Sequence, residues 1–448
     1  MDVGDLGEIF KAYDVRGIYP QALDEEKARR IGAAFARFVD SDVIAVGRDM
    51  RTSSPSLAHA FSEGAVSQGV DVIAVGEVST DALYFASGKL DVPAAMFTAS
   101  HNPPQYNGIK MCRKKAAPIG QESGLQEIRR MAEADLQPAT RPGSVTERDI
   151  LPDYAEHCRG FVDRDLLRPL RVAIDAGNGM AGKTVPVVFE DLPFEIIPLF
   201  FELDGTFPNH EANPIEEENL RALQTAVREN RCEVGIAFDG DADRMFLVDE
   251  TGSPVSGSLT TALVAERLLK KSPGAKIIHN LITSWTVPEV IRENGGESIR
   301  SRVGHSFIKQ LMAETGAIFG GEHSGHYYFI DNYRADSGMI AALLVLEALS
   351  EYGRPLSEAL RPFRRYVSSG EINSEVNDQE ATLELLAERY RDGKQDRSDG
   401  LTVEYEDWWF NCRPSNTEPV LRLNLEARTE ELMRRKRSEV LSVIRGEA

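Results

Sequence analysis

The chain reads as an α/β protein built from three related α/β units and a smaller α+β unit at the C-terminus. Three observations carry that reading. Strand and helix patterns alternate over the first 140 residues, the alternation restarts twice, and the texture changes after Tyr366. A length of 448 residues accommodates two to four domains. The units are expected at residues 1–145, 146–252, 253–364 and 365–448.

In the first unit VIAVG occurs at 43–47 and again at 72–76, each a buried-strand pattern ending in glycine. Between them, residues 54–68 have helical spacing, with Leu57, Ala60, Phe61 and Ala65 on one side. A third apolar run, PAAMF at 93–97, empties into a loop, TASHNPPQYNGIK, at 98–110. Strand–helix–strand at this spacing predicts parallel pairing with helices on both faces. In such sheets ligands bind beyond the carboxyl ends of the strands, where this loop sits.

The second unit follows a loop-like stretch, QPATRPGSVT (137–146). Its strand at 171–174 runs into the glycine-rich turn DAGNGMAG and a helix; further strands fall at 194–200 and 232–238, the last leading into DGDADR. The third unit has strands near 276–281, 297–303 and 317–320, a loop at 321–326 and a helix at 336–350. The fourth has strands at 370–376, 401–405, 408–411 and 420–427 with helices at 378–391 and 429–444, a mixed or antiparallel α+β pattern. DGKQDRSDG (392–400) reads as an exposed connection.

The formal net charge of −20 argues against nucleic acid or an anionic membrane as the main partner. A small anionic substrate remains compatible, because a cleft can be locally positive. Lys110, Arg113, Lys114 and Lys115 are grouped, and Lys114 and Lys115 are expected on a solvated face. The start, MDVGDLGEIF, lacks the basic and apolar regions of a signal peptide. The longest apolar stretch, 339–349, is too short to span a bilayer and contains Glu347. Cys112, Cys158, Cys232 and Cys412 lie far apart without a C-x-x-C pair, which suggests reduced thiols in a cytoplasmic protein.

Four loops and the N-terminal segment carry candidate chemistry. In the loop at 98–110, Ser100 stands among His101, Asn102 and two prolines, and Lys110 closes it. Pro103 and Pro104 remove backbone donors and stiffen the chain, and Gly108 permits a sharp turn. A rigid loop presenting one hydroxyl near a lysine suits a nucleophile or a phosphoryl carrier; a proline-rich surface turn is the alternative. Asp239, Asp241 and Asp243 alternate in DGDADR and suit a hard divalent cation, most naturally Mg²⁺. With Glu250 they fall at positions 1, 3, 5 and 12 of an EF-hand loop, but position 6 is Arg244 where that motif needs glycine, and the flanks read as strands. A metal-free acidic turn stays open. Arg244 makes sense beside a metal if an anion also approaches.

In GGEHSGH (320–326), Glu322 and Ser324 can read vicinal hydroxyls, or the segment is a structural turn. Arg413, Ser415, Asn416 and Thr417 form a candidate phosphate clamp, although such clusters are also ordinary turn chemistry. Tyr13 and Arg16 lie ahead of the first unit's helices.

Taken together, YDVRG, TASHNP…YNGIK, DGDADR, GEHSGH and RPSNTEP resemble, in that order and over almost the whole chain, the α-D-phosphohexomutase superfamily, and within it the phosphomannomutase/phosphoglucomutase group. The resemblance implies four domains around a central cleft. It implies that Ser100 is phosphorylated, that Asp239, Asp241 and Asp243 bind Mg²⁺ with a phosphoserine oxygen, and that His101 and Lys110 flank the phosphoserine, Lys110 as acid/base. Arg16 and Arg244 would stabilise the moving phosphoryl group. Tyr13, His305, Glu322, Ser324 and His326 would meet the sugar, with Lys309 a further candidate. Arg413, Ser415, Asn416 and Thr417 would hold the non-reacting phosphate. One departure stands out: Ile282 falls where some members carry a substrate-contacting lysine, and Thr283, Ser284 or His305 would have to compensate, while Trp285 packs.

The implied activity is interconversion of hexose 1-phosphate and hexose 6-phosphate, mannose first and glucose second, with hexose 1,6-bisphosphate as activator and intermediate. The alternatives are a phosphoglucosamine mutase, a Mg²⁺-dependent sugar phosphatase and a non-catalytic sugar-phosphate-binding protein. The expected partner is the phosphorylated hexose, with no nucleic acid and no membrane, in a monomer or homodimer.

Overall fold

Domain I starts with β1 (Val15–Ile18), α1 (Glu25–Val39), β2 (Val43–Arg48), α2 (Ser54–Ser67), β3 (Asp71–Glu77), α3 (Thr80–Leu90), β4 (Ala94–Phe97) and β5 (Tyr106–Arg113). These come from a computed structural model that describes residues 6–415 and 420–446, the side chains of Glu122 and His305 excepted. β6 (Ala117–Pro118), α4 (Gln126–Glu133) and β7 (Val145–Glu147) complete a seven-stranded sheet, β1-β5-β4-β2-β3-β7, with β6 on the side of β5. β2 pairs in parallel with β3 and β4, as the repeated VIAVG pattern predicts. β5 instead runs antiparallel to β4 and β1. The loop carrying Ser100 therefore ends at Tyr106, and Lys110 sits inside a strand opposite Met96. This corrects the expected loop boundary: Asn107 and Gly108, which look like turn residues, are buried strand residues flanked by buried Ile109 and Met111.

Domain II follows α5 (Leu151–Arg159) with β8 (Leu170–Asp175), α6 (Ala181–Val188), β9 (Phe194–Leu199), α7 (Arg221–Asn230), β10 (Val234–Phe238), β11 (Met245–Asp249) and β12 (Pro254–Val255), in sheet order β12-β11-β10-β8-β9. The β10–β11 pair is an antiparallel hairpin through DGDADR, and Glu250 accepts from Ser357 N–H at 3.1 Å, so the segment is no EF-hand.

Domain III contains α8 (Gly257–Lys271), β13 (Lys276–Asn280), α9 (Thr286–Glu293), β14 (Glu297–Ser301), α10 (His305–Thr315), β15 (Phe319–Gly321), β16 (Tyr327–Phe329) and α11 (Gly338–Tyr352), with sheet order β14-β13-β15-β16. α11 is apolar almost all round and buried along thirteen residues, as a helix enclosed by its neighbours must be. Its one buried charge, Glu347, is satisfied by Arg267 Nε at 2.6 Å, Lys271 Nζ at 2.8 Å and Asp163 N–H at 2.7 Å. One apolar core runs through domains I to III, including Phe85, Tyr154, Val172 and Leu343. No helix among the described residues is long and apolar enough to cross a membrane.

After the short α12 (Leu356–Ala359), domain IV has β17 (Val367–Glu375), α13 (Gln379–Arg389), β18 (Lys394–Asp396), β19 (Leu401–Glu404), β20 (Trp408–Pro414), β21 (Val420–Ala427) and α14 (Glu430–Ile444). Its sheet is β17-β21-β20-β19-β18, all antiparallel. β18 corrects the expectation that 392–400 is only a connection. It is a short, charged edge strand, and such edges lack the apolar alternation by which strands are recognised. All four cysteines are free and buried.

Candidate active site

β4 delivers Ser100 to a buried position where its φ is +51°. A non-glycine residue in the left-handed region carries strain of the order of 1 kcal/mol or more and persists only where its surroundings enforce it. Those surroundings are specific. Ser100 Oγ donates to Asp239 Oδ2 at 2.7 Å, and it lies 3.1 Å from His101 Nδ1 and 3.2 Å from Arg244 Nη2. The carboxylate loop presses against the serine loop so closely that a Cβ on Gly240 would stand 2.4 Å from the Ser100 carbonyl oxygen. Glycine is required there.

The loop after β10 turns through Ala242 at φ +60°, bringing Asp239, Asp241 and Asp243 together. Their ligand oxygens lie within 4.8 Å of one another, and all three residues are buried. Among the described residues, Asp241 Oδ1 and Asp243 Oδ1 find no hydrogen-bond partner although both are buried. Buried carboxylate oxygens without donors are costly unless a cation satisfies them, so these residues fit a divalent metal. Lys110 Nζ bridges Asp241 Oδ2 at 2.7 Å and Asp243 Oδ2 at 2.6 Å. Thr80 adds its hydroxyl to Asp241 Oδ2 at 2.5 Å and its N–H to the Asp241 carbonyl at 3.0 Å. Arg244 Nε donates to Asp239 Oδ2 at 2.9 Å, and Arg244 also hydrogen-bonds His101 Nδ1.

The electrostatics follow from three carboxylates facing two cations in a buried site. Burial pushes Asp239 upward against the opposing pull of Arg244, with Asp241 and Asp243 adding to the rise. Burial alone would lower Lys110, but Asp241 and Asp243 override it and hold the ammonium well above the ordinary lysine range. His101 is held well below its usual value by the Arg244 charge, then by burial and Arg16. The serine hydroxyl thus faces a neutral imidazole, a carboxylate and a guanidinium. Adding a divalent cation reverses the sign of the cluster's net charge and makes it a receptor for an anion.

Arg16 on β1 reaches the Ala99 carbonyl at 3.3 Å and also bonds the Asn102 side chain, so it flanks the serine loop from the open side. Tyr13 approaches domain III, its hydroxyl close against Gly304. A β-bridge between Arg244 and His326 couples the carboxylate loop to the third loop. His326 lies 3.8 Å from Asp243 and 4.0 Å from Asp336, with Ser324 Oγ 3.1 Å from its Nδ1. Glu322 is buried, accepting from Tyr328 Oη at 2.7 Å and Asn280 Nδ2 at 3.2 Å. Lys309 pairs with Asp336 at 2.9 Å and stands over the Tyr84 ring.

Arg413 on β20 is buried against Glu371 Oε2 at 2.8 Å. Arg422 lies directly opposite Arg413 on β21 and meets the other Glu371 oxygen at 3.3 Å. Ser415 closes the hairpin through its N–H to Val420 O at 2.9 Å. Asn416, Thr417 and the His305 side chain lie outside the described residues. Ile282 is buried near Ser258 and Trp409, and Trp285 packs edge-on to Tyr366.

Tyr13, Arg16, Ser100, Lys110, Arg244, His326 and Arg422 line one cavity of about 1170 Å³, whereas Glu322, Ser324 and Arg413 are not on its walls and Ile282 lines a separate pocket. Thr80, Asp336, Glu371 and Arg422 escaped sequence reasoning. Thr80 follows a helix-capping serine and reads as capping chemistry, and the other three stand apart from any motif. Only the β20–β21 register brings Arg422 to Arg413.

Four family profiles match in succession. They are the phosphoglucomutase/phosphomannomutase alpha/beta/alpha domain I at residues 7–138, domain II at 152–252, domain III at 256–366 and the C-terminal domain at 371–443. A protein described as phosphohexose mutases from Xanthomonas campestris pv. campestris (strain B100) is 40% identical over 443 residues, covering 98% of this chain and 99% of the relative. A phosphomannomutase of Escherichia coli is 39% identical over 450 residues, covering 97% and 99%. The crystal structure of a phosphoglucomutase/phosphomannomutase family protein from Burkholderia thailandensis superposes with a TM-score of 0.89 at 35% identity, covering 98% of this chain and 97% of that one.

Proposed function

The chain belongs to the phosphoglucomutase/phosphomannomutase family of phosphohexose mutases, and from that premise we propose that it interconverts hexose 1-phosphate and hexose 6-phosphate through Ser100, with mannose phosphate as first substrate and glucose phosphate as second. The observation that carries the proposal is the strained Ser100 hydroxyl held on Asp239 beside Arg244 at the wall of the cavity.

Asp239, Asp241 and Asp243 would hold Mg²⁺, which when bound supplies charge neutralisation for phosphoryl oxygens. The chain's own groups do the rest. In the forward step the Ser100 Oγ–P bond breaks and a bond forms from phosphorus to the free sugar hydroxyl, whose proton ends on Ser100 Oγ, giving a hexose 1,6-bisphosphate and a free serine hydroxyl. Arg244 and Arg16 balance the charge of the group in flight. Lys110, kept as an ammonium by Asp241 and Asp243, acts on the acid side. The bisphosphate turns over, and Ser100 takes back the other phosphoryl group. In that step the sugar O–P bond breaks, the hydrogen bond to Asp239 Oδ2 orients the serine hydroxyl, and its proton ends on the departing sugar oxygen. Glu322, Ser324 and His326 meet sugar hydroxyls. Arg413, with Ser415, Asn416 and Thr417, grips the non-reacting phosphate, and Tyr13 and His305 are further substrate-binding residues. Exclusion of water protects the phosphoserine from hydrolysis.

The test combines intact-mass analysis for phosphate on Ser100 with rates on mannose, glucose and glucosamine 1-phosphates in the presence of bisphosphate. Phosphate on Ser100 and fastest turnover of mannose 1-phosphate support the proposal. Release of inorganic phosphate without isomerisation points to a phosphatase and rejects it.

A further inference from the structure

We propose that Arg51 is a positioning residue for the phosphoryl carrier, its buried guanidinium fixing the backbone of the Ser100 loop. The inference rests on Ser100 being that carrier. Arg51 follows β2 in the segment RDMRTSSP and is fully buried. Nη1 donates to the carbonyls of Pro103 at 2.9 Å and Tyr106 at 3.0 Å. Nη2 donates to the carbonyls of Ser100 at 2.8 Å and Asn102 at 2.6 Å. Nε pairs with Asp49 Oδ2 at 3.3 Å. Four of the five guanidinium donors are therefore spent on carbonyls of one loop, along its whole length.

The loop needs such support from outside. Pro103 and Pro104 offer no N–H, and the bonds inside it are few: Ser100 N–H to Thr98 Oγ1 at 2.9 Å, Asn102 N–H to Ala99 O at 2.9 Å and Tyr106 N–H to Pro103 O at 3.0 Å. Ser100 itself sits at positive φ, a conformation that its surroundings must enforce, and the one bond its backbone makes within the loop is from its N–H, not to its carbonyl. A planar, rigid fork reaches four acceptors at once, which a lysine ammonium cannot do. Domain II closes the other side. The Phe207 ring lies 5.1 Å from the guanidinium carbon, and Gly205 packs where a Cβ would come within 2.6 Å of Arg51 Cα. The Ser100 carbonyl is also the atom against which Gly240 of the carboxylate loop presses. Arg51 thereby sets the serine hydroxyl relative to Asp239 without touching substrate.

The deciding variant is Arg51→Lys in the full chain, with Phe207→Leu as a milder companion. Displacing a reacting group by about 1 Å costs on the order of 100-fold in rate. Arg51→Lys is expected to lower kcat about 100-fold while KM for the hexose phosphate and the Mg²⁺ needed for half-activity stay near the wild-type values. Phe207→Leu is expected to lower kcat about threefold. A folded Arg51→Lys enzyme with wild-type kcat, or one that loses through KM alone, overturns the assignment. If Arg51→Lys does not fold by circular dichroism, Phe207→Leu decides, and an unchanged kcat there overturns it. Phosphate on Ser100 is read by mass in the same samples. A wild type whose Ser100 never carries phosphate defeats the carrier reading itself, whereas a phosphorylated wild type beside a fully active Arg51→Lys defeats only the role of Arg51.

Discussion

Ser100 Oγ and Asp239 Oδ2 share a hydrogen bond of 2.7 Å between residues 139 positions apart in the chain. The contact joins the β4 loop of domain I to the β10 loop of domain II, and it makes the hydroxyl part of the carboxylate cluster. Ser100→Ala removes that hydroxyl and nothing else from the loop's frame. Asp239 keeps Arg244 Nε at 2.9 Å, so folding should survive, with a melting point within a few degrees of wild type. Mutase activity in a coupled assay should fall by about 10³-fold or more, as expected when a covalent carrier is lost. Turnover near the wild-type rate would falsify the relay.

Among the described residues the oxygens Asp241 Oδ1 and Asp243 Oδ1 have no donor, while the other oxygen of each is taken by Lys110. A cation can therefore take the two free oxygens while Lys110 holds the other oxygen of each carboxylate. Enzyme stripped with EDTA should lose activity and regain it on adding Mg²⁺. Asp241→Ala should lower the rate about 100-fold at a Mg²⁺ level that saturates the wild type. Normal turnover after thorough chelation rejects the metal assignment.

Arg413 and Arg422 stand opposite each other across β20 and β21, a like-charge pair that is unfavourable without a counter-ion. Glu371 supplies it, one oxygen to each arginine. Burial would raise Glu371, but Arg413 and the Asn424 amide hold its carboxyl below the usual range. Two arginines around one anion are suited to a phosphate. Loss of a charge-assisted hydrogen bond costs about 1.5–3 kcal/mol, so Arg413→Ala should raise KM for the hexose phosphate about 10- to 100-fold, with kcat changed far less. An unchanged KM removes Arg413 from the clamp.

The legible parts of this site are those whose residues are contiguous. DGDADR places three carboxylates and an arginine within six residues, and a hairpin can bring them together with no help from the rest of the chain. Lys110 was legible as a cation but not as a strand residue, because Asn107 and Gly108 carry turn chemistry while their burial is set by β1 and β4 on either side. Glu371 and Arg413 meet across 42 positions, through β21 lying between β17 and β20, and no local pattern encodes that neighbour. β18 was hidden for the opposite reason: its lysine, glutamine and aspartate have no apolar face to betray a strand. Pairings made by sheet order are the part that single-chain patterns leave out.

His279 on β13 gives a prediction about stability. Burial pushes its imidazole down to about 4, against the usual 6.5, with Nδ1 at 3.0 Å from the Asn280 carbonyl and Nε2 at 3.0 Å from Ser298 Oγ. A base whose folded value is depressed stays neutral in the native chain while the unfolded chain takes up a proton. Its contribution is therefore fully present above about 6.5 and is lost as the pH falls toward about 4. A shift of this size corresponds to about 3 kcal/mol at most. Asp81 works in the other sense, since burial raises its carboxyl to about 6, and its contribution is full below the unfolded value and lost as pH rises through about 6. Both enzymes in the comparison share that background. Melting temperatures measured from pH 7 to pH 4 should fall more steeply for the wild type than for His279→Gln, whatever the offset between them at pH 7. Parallel curves would show that His279 titrates normally and that its burial has no thermodynamic weight.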